Sequence, residues 1–173
     1  MQAAEILPEV EQQQPDLKPR FREMVADDVL HILQLCRLFF MESEFSEFST
    51  FDPESLLRLL DRIPDNPRLD CFVFEDGGFP QGFLIYQTDV TYTVEPLALM
   101  FLFYVAPEYR KSPVGRSLLK IAEAHAKARG CVAFYAGAMA GIPGVTRTLK
   151  NLYTKAGYEE LYWGRKLLQG DDE

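Results

Sequence analysis

Residues 104–119 read YVAPEYRKSPVGRSLL. The stretch closes a near-continuous apolar run, LALMFLFYVAP, and opens an amphipathic one that continues as LLKIAEAHAKARG. An apolar run without alternation reads as a central strand buried on both faces. The amphipathic run reads as a helix, with Ser112 as N-cap, Pro113 at the first position and Gly130 past the end. The first N–H groups of a helix have no partner inside it and sit at the positive end of its dipole. Placed directly after a central strand, they form an anion site. Arg110, Lys111 and Arg116 add positive charge there, and Gly115 allows close approach to the backbone. Backbone donors are expected at Lys111, Ser112, Val114, Gly115 and Arg116. Pro113 fits the first helical position but removes one donor, and a lost charge-assisted bond costs about 1.5–3 kcal/mol. The competing reading is a plain strand-to-helix turn with surface cations.

Working outward from this turn, PRFREM (19–24) reads as a short first strand. Val29, Ile32, Leu33, Leu35, Cys36 and Phe39 then recur at near-helical spacing, behind Asp27 or Asp28 as a cap. FDPESLLRLLDRI reads as a second helix, with Asp52 as N-cap and Pro53 at its first position. DCFVFEDGGFPQGFLIYQ is two apolar runs around a Gly/Pro turn, a β-hairpin. CVAFYAG reads as a further buried strand, GVTRTLKNLYTKAG as a helix ending at Gly157, and YEELYWGRKLL as a last strand. The order β, α, α, β, β, β, α, β, α, β predicts a mixed α/β domain around one twisted sheet. Residues 1–17 contain QQQP and few large apolar groups and read as a flexible tail, 18–169 as the domain, and 170–173 as an acidic end.

The chain has 173 residues, enough for one domain with a real core, and 47% of them are hydrophobic. Its apolar runs are too short to span a bilayer, and it shows no signal-peptide pattern, so a cytoplasmic protein is expected. Cys36, Cys71 and Cys131 form no C-x-x-C pair and read as reduced thiols rather than a disulfide or metal site. His31 and His125 lack metal-ligand spacing and any Ser or Cys partner pattern, so no metal is expected. The net charge of −8 argues against a nucleic-acid binder. That charge is unevenly spread: residues 18–107 hold fifteen acidic and seven basic residues, whereas 110–170 hold eleven basic and three acidic ones. The split suits an anionic cofactor on one half and a cationic substrate on the other, although a solvated surface with accidental asymmetry explains it too.

YVAPEYRKSPVGRSLL resembles the acyl-CoA-binding motif of the GNAT N-acetyltransferase superfamily, matching it at Val105, Pro107, Arg110, Gly115, Leu118 and Leu119. NLYTKAGYEE (151–160) resembles the second family signature through Asn151, Leu152, Tyr153, Gly157 and Tyr158. Together with the element order, the resemblance covers roughly residues 19–168 and extends to small phage and bacterial GNAT proteins. It implies a GNAT-like α/β fold, a single mixed, mostly antiparallel twisted sheet flanked by helices, and transfer of an acetyl group from acetyl-CoA to a primary amine by direct attack in a ternary complex. It also implies that the pantetheine arm adds along the backbone of Phe103, Tyr104 and Val105, that Arg110 and the turn hold phosphate, that Asn151 contacts the arm, and that Tyr153 is the general acid. A half-buried core tyrosine is the plainer reading of Tyr153, and a surface residue that of Asn151.

Two departures stand out. Pro113 replaces a family glycine, and related proteins often carry a glutamate base near the position of Leu102, where this strand is wholly apolar. Glu95, just before the strand, is the first alternative base, followed by Glu42, Glu44, Asp89 or a water chain. MESEFSEFSTFDPE places Glu42, Glu44 and Glu47 among Phe45, Phe48 and Phe51. Carboxylates beside aromatic faces suit a cationic amine, a small molecule or a protein lysine or N-terminus. The alternative is a loop whose phenylalanines pack inward. The departures also fit a non-catalytic GNAT-fold module with a vestigial CoA pocket, acting through a protein partner at its tail or early helices. A homodimer is a further expectation of the resemblance.

Overall fold

The computed structural model describes residues 18–89, 93–137 and 146–160. The tail 1–17, the acidic end and most of the expected last strand lie outside the described residues, as do the first two residues of the expected helix that starts at Gly144. In chain order the elements are β1 (Arg20–Glu23), α1 (Val29–Glu42), α2 (Phe45–Phe48), α3 (Pro53–Leu60), β2 (Leu69–Asp76), β3 (Phe79–Asp89), β4 (Leu97–Val105), α4 (Val114–Ala128), β5 (Ala133–Tyr135) and α5 (Thr146–Ala156). The five strands form one sheet in the order β1-β2-β3-β4-β5. β1 to β4 pair antiparallel, and β5 joins β4 in parallel. The mixed, mostly antiparallel sheet expected from the sequence is therefore observed.

Alternation along β2 and β3 divides the core in two. Cys71, Val73, Phe83 and Ile85 face α1 and α3, where they meet Ile32, Leu35, Cys36 and Leu60. Phe72, Phe74, Leu84 and Tyr86 face α4, where they meet Val114, Leu118, Leu119 and Ala122. Asp52 begins α3 as expected, its Oδ1 accepting the Glu54 and Ser55 N–H groups at 3.1 Å each. Two elements differ from the expectation. The segment read as a loop after α1 contains the single helical turn α2, and β5 is a short, half-buried strand rather than a buried one. Burial pushes the Cys36 thiol up to about 12, consistent with an inert core thiol.

The start of α1 is fixed by charge. Arg22 on β1 bonds Glu75 on β2 at 2.5 Å and Asp28, just ahead of α1, at 2.5 and 2.8 Å. Arg20 reinforces Glu75 at 2.9 Å. Asp28 Oδ2 also accepts the Val25 N–H at 2.8 Å, turning the chain into the helix. Burial opposes charge on Asp28 and Glu75, but the arginine bonds outweigh it and hold both carboxyls below their usual range.

Both folded values lie below the unfolded ones, so this stabilisation is present above about pH 4 and is lost as pH falls through the lowered values. Arg22→Met leaves two carboxylates without their main partner and is expected to cost about 2–3 kcal/mol at pH 7. Urea melts of both proteins from pH 7 to pH 3 check this, with the gap between them shrinking at the acid end.

Candidate active site

The central strand is paired along only part of its length. β4 meets β5 through Leu97↔Ala133, Ala98↔Phe134 and Leu99↔Tyr135, and no further pair follows among the described residues. On the other side β3 accompanies it from Leu97 to Val105. Between Ile85↔Leu102 and Tyr86↔Met100 the register shifts, so Phe101 is an extra residue in β4. Such a bulge bends the strand and increases its twist. It also sends two consecutive side chains, Phe101 and Leu102, toward the α1 side.

Pairing parity identifies the free groups. Ala106 N–H donates to the Gln81 carbonyl at 2.8 Å, so Ala106 turns its backbone toward β3, as by alternation do Tyr104 and Leu102, which are paired with Phe83 and Ile85. The backbone groups of Phe103 and Val105 therefore point away from β3, onto the open edge. The Val105 carbonyl is in use there, accepting Arg110 Nε at 2.8 Å. The Phe103 N–H and C=O and the Val105 N–H have no partner among the described residues and can take an added strand. Tyr104, in between, turns its backbone to β3 and its side chain toward α1.

The turn lies just beyond this edge. Helix α4 begins at Val114, so Pro113 rather than Ser112 takes the cap position, with φ −68° and ψ −6°. The reason is that proline is already helical there and its carbonyl accepts the Ser117 N–H at 2.9 Å. Ser112 still helps: its Oγ accepts the Val114 N–H at 3.3 Å and donates to the Tyr109 carbonyl at 2.6 Å. Its own N–H donates to Tyr109 carbonyl at 3.1 Å. Of the expected backbone donors, Ser112 and Val114 are thus engaged internally. Lys111, Gly115 and Arg116 have no N–H partner among the described residues. The Lys111 and Arg116 side chains are exposed and make no ion pair with a described residue. A Cβ on Gly115 would sit 3.4 Å from Phe103 Cζ, 3.9 Å from Val105 Cγ2 and 4.0 Å from Leu152 Cδ2. The glycine thus keeps a gap open between α4, β4 and α5.

Leu152 and Tyr153 on α5 belong to the same apolar cluster as Phe103, Val105 and Val114. Gly157, at φ +89°, ends α5 and lets the chain return so that the Tyr158 ring lies 5.5 Å from the Tyr153 ring. Tyr158 Oη is tied to Glu123 on α4 at 2.6 Å. Tyr153 Oη, by contrast, is buried without a hydrogen-bond partner among the described residues, and burial pushes its hydroxyl up to about 12. An orphaned hydroxyl in an apolar cluster beside an open strand edge is what a polar ligand atom would satisfy. Asn151 is exposed on the same helix. These features fit a long, flexible thioester carrying phosphates at one end.

The remaining site residues divide. Glu42 Oε1 accepts Tyr104 Oη and Oε2 accepts Arg110 Nη2, each at 2.6 Å. Glu42 is thus already neutralised, and Arg110 faces inward rather than toward the helix start. Phe45 and Phe48 are half-buried and form a string with Phe39 and Tyr104, at ring separations of 5.8, 6.4 and 6.3 Å. Phe39 is the link between these two rings and Tyr104 of β4. Glu44 lies half-buried in the same segment and Glu47 is exposed. Glu95 is exposed in the loop before β4, its carbonyl accepting Thr93 Oγ1 at 2.6 Å. It stands at the opposite end of a 9-residue strand from the turn, about 25 Å away along β4. The bulge and the Glu42–Arg110 pair escaped the sequence reading. Phe101 looks like any residue of an apolar run, and the pair joins residues 68 apart.

The orphaned hydroxyl yields a stability prediction. Removing a buried, unpartnered polar group relieves its desolvation cost, so Tyr153→Phe is expected to stabilise the unliganded protein by about 1 kcal/mol. Chemical denaturation of the two proteins checks this.

A family model described as an acetyltransferase (GNAT) domain matches residues 67–160, spanning β2 through α5. A search of curated proteins finds no match. Among solved structures, the aminoglycoside acetyltransferase AAC(6')-Iy, in complex with a bisubstrate analogue, is 18% identical, with TM-score 0.68 over 87% of this chain and 99% of that one. An aminoglycoside acetyltransferase from an uncultured soil metagenomic sample, in complex with sisomicin, is 19% identical, with TM-score 0.66 over 87% and 97%. A transcriptional regulator from Bacillus halodurans C-125 is 17% identical, with TM-score 0.69 over 87% and 99%. At these identities the structures speak for the fold alone. The family match spans more than half of the sequence and includes both the turn and the Tyr153 helix, so the chain belongs to the GNAT acetyltransferase family.

Proposed function

We propose that the protein transfers the acetyl group of acetyl-CoA to a primary amine on a small cationic molecule, by direct attack in a ternary complex. The observation that carries this reading is the unpaired edge of β4 at Phe103 and Val105, with the unpartnered Tyr153 hydroxyl in the same cluster. Acetyl-CoA, when bound, supplies an activated thioester. The Phe103 and Val105 backbone groups would hold its arm as an added strand, with Asn151 on α5 as a further contact. The Gly115 and Arg116 N–H groups, with the Lys111 and Arg116 side chains, would receive its phosphates.

In the transfer the amine nitrogen forms a bond to the acetyl carbon, and the carbon–sulfur bond breaks. Tyr153 Oη gives its proton to the departing sulfur and recovers one from solvent. β4 carries no carboxylate, and the amine loses its proton through water. The bulge side chains Phe101 and Leu102, with Phe39, Phe45 and Phe48, supply apolar and aromatic walls, and Glu44 and Glu47 supply negative charge for a cationic acceptor. Solved relatives of this fold that act on aminoglycosides support an acceptor with several amines.

Acetyl-CoA consumption, followed by thiol release against a panel of an aminoglycoside, spermidine and a lysine peptide, tests the reading. The polyamines are expected to react and the peptide to lag. A panel in which only the peptide reacts overturns the small-molecule assignment. The pH profile is equally specific. Tyr153 keeps its proton until about pH 12, so kcat/KM should rise through the acceptor amine's own titration and then level off without an alkaline fall. Tyr153→Phe is expected to lower kcat about a hundredfold with little change in the KM for acetyl-CoA.

A further inference from the structure

The cation expected to face phosphate is committed elsewhere. Arg110 Nε donates to the Val105 carbonyl at 2.8 Å, and Nη2 donates to Glu42 Oε2 at 2.6 Å. The guanidinium also lies 5.1 Å from the centroid of the Tyr104 ring. Tyr104 Oη closes the group by donating to Glu42 Oε1 at 2.6 Å. The group is largely shielded: Tyr104 is 3% exposed, and the Arg110 and Glu42 side chains are 24% and 29% exposed.

Three elements meet at this point. Glu42 is the last residue of α1, Tyr104 and Val105 end β4, and Arg110 belongs to the turn that leads into α4. Resting on the reading of this turn as the CoA site, we propose that Arg110 is a positioning residue. With Glu42 and Tyr104 it fastens the donor turn and the open edge of β4 to helix α1.

The chemistry favours arginine for this task. Its planar fork presents several N–H groups in fixed directions, so one side chain reaches a carbonyl on the strand and a carboxylate on the helix together. A lysine keeps the charge but offers a single point of contact. The latch also sets which edge groups an added strand meets, because the Val105 carbonyl is already used. Glu42 is removed from the negative wall of the acceptor side, leaving that role to Glu44 and Glu47. Since α1 leads directly into the segment carrying Phe45 and Phe48, the donor and acceptor sides share one anchor.

Calorimetric titration of CoA into the wild type, Arg110→Lys, Glu42→Gln, Tyr104→Phe and Lys111→Met, at low and high salt, tests the latch. Glu42→Gln and Arg110→Lys are each expected to weaken CoA about tenfold, equally at both salt concentrations, with the double variant little worse than either. Tyr104→Phe, which deletes one hydroxyl, is expected to weaken it in the same direction. Lys111→Met, a screened phosphate contact, loses affinity mainly at low salt. Arg110→Lys binding like the wild type, with Glu42→Gln unaffected, overturns the proposal and makes Arg110 a phosphate cation. A wild type that ignores CoA overturns the functional reading and this role with it, a result visible before any variant is made. Thermal melts of the same variants without ligand then read the latch by itself: non-additive losses at Arg110 and Glu42 show that it is built, and additive ones that it is not.

Discussion

A strand in the middle of a sheet needs partners on both sides, and among the described residues β4 has a second one only as far as Leu99. Beyond that point the outward backbone groups of Phe103 and Val105 must find something else. One of them, the Val105 carbonyl, is satisfied within the protein by Arg110. The rest of the arrangement depends on this unfinished edge. The bulge at Phe101 bends the strand as it leaves β5, and the turn after β4 delivers the start of α4 beside the gap. Gly115 keeps backbone rather than side chain against Phe103, and α5 brings Tyr153 into the same cluster.

The two faces of the sheet divide the work. On the α4 side the apolar cluster is completed by α5, and the unpartnered donors and exposed cations gather at the helix start. On the α1 side the aromatic string from Tyr104 to Phe48 leads outward to the acidic segment. The ion group of Arg22, Asp28 and Glu75 fixes where α1 begins, and the group of Glu42, Arg110 and Tyr104 fixes where it ends. A 14-residue helix spans about 20 Å, so the two charged anchors hold it across the sheet from both ends.

Local signals in the sequence were enough for the parts that local chemistry controls. Asp52 and Pro53 mark the start of α3, the hairpin turn at Gly77 and Gly78 separates β2 from β3, and the basic turn after Val105 precedes a helix. α4 starts one residue later than the sequence predicts because Pro113, helical in its dihedrals, already supplies the first accepting carbonyl, to the Ser117 N–H. What escaped depends on contacts between distant residues. Phe101 is an ordinary residue in an apolar run, and only its pairing with β3 makes it a bulge. Arg110 matches a phosphate-binding pattern by position, yet Glu42, brought near by α1, draws the side chain inward. The phenylalanines of 45–51 suit either an acceptor wall or a core by sequence, and only the fold sets Phe45 against Phe39 and Phe51 against Phe40.

The central claim is that the open edge of β4 is the donor's binding surface. Amide hydrogen exchange resolved at single residues, with and without CoA, measures this directly. The account predicts that CoA slows exchange of the Phe103 and Val105 amides and of the Gly115 and Arg116 amides together, while the Tyr104 amide, already bonded to β3, is unchanged. Protection confined to the helix start, with Phe103 and Val105 exchanging as before, would contradict it.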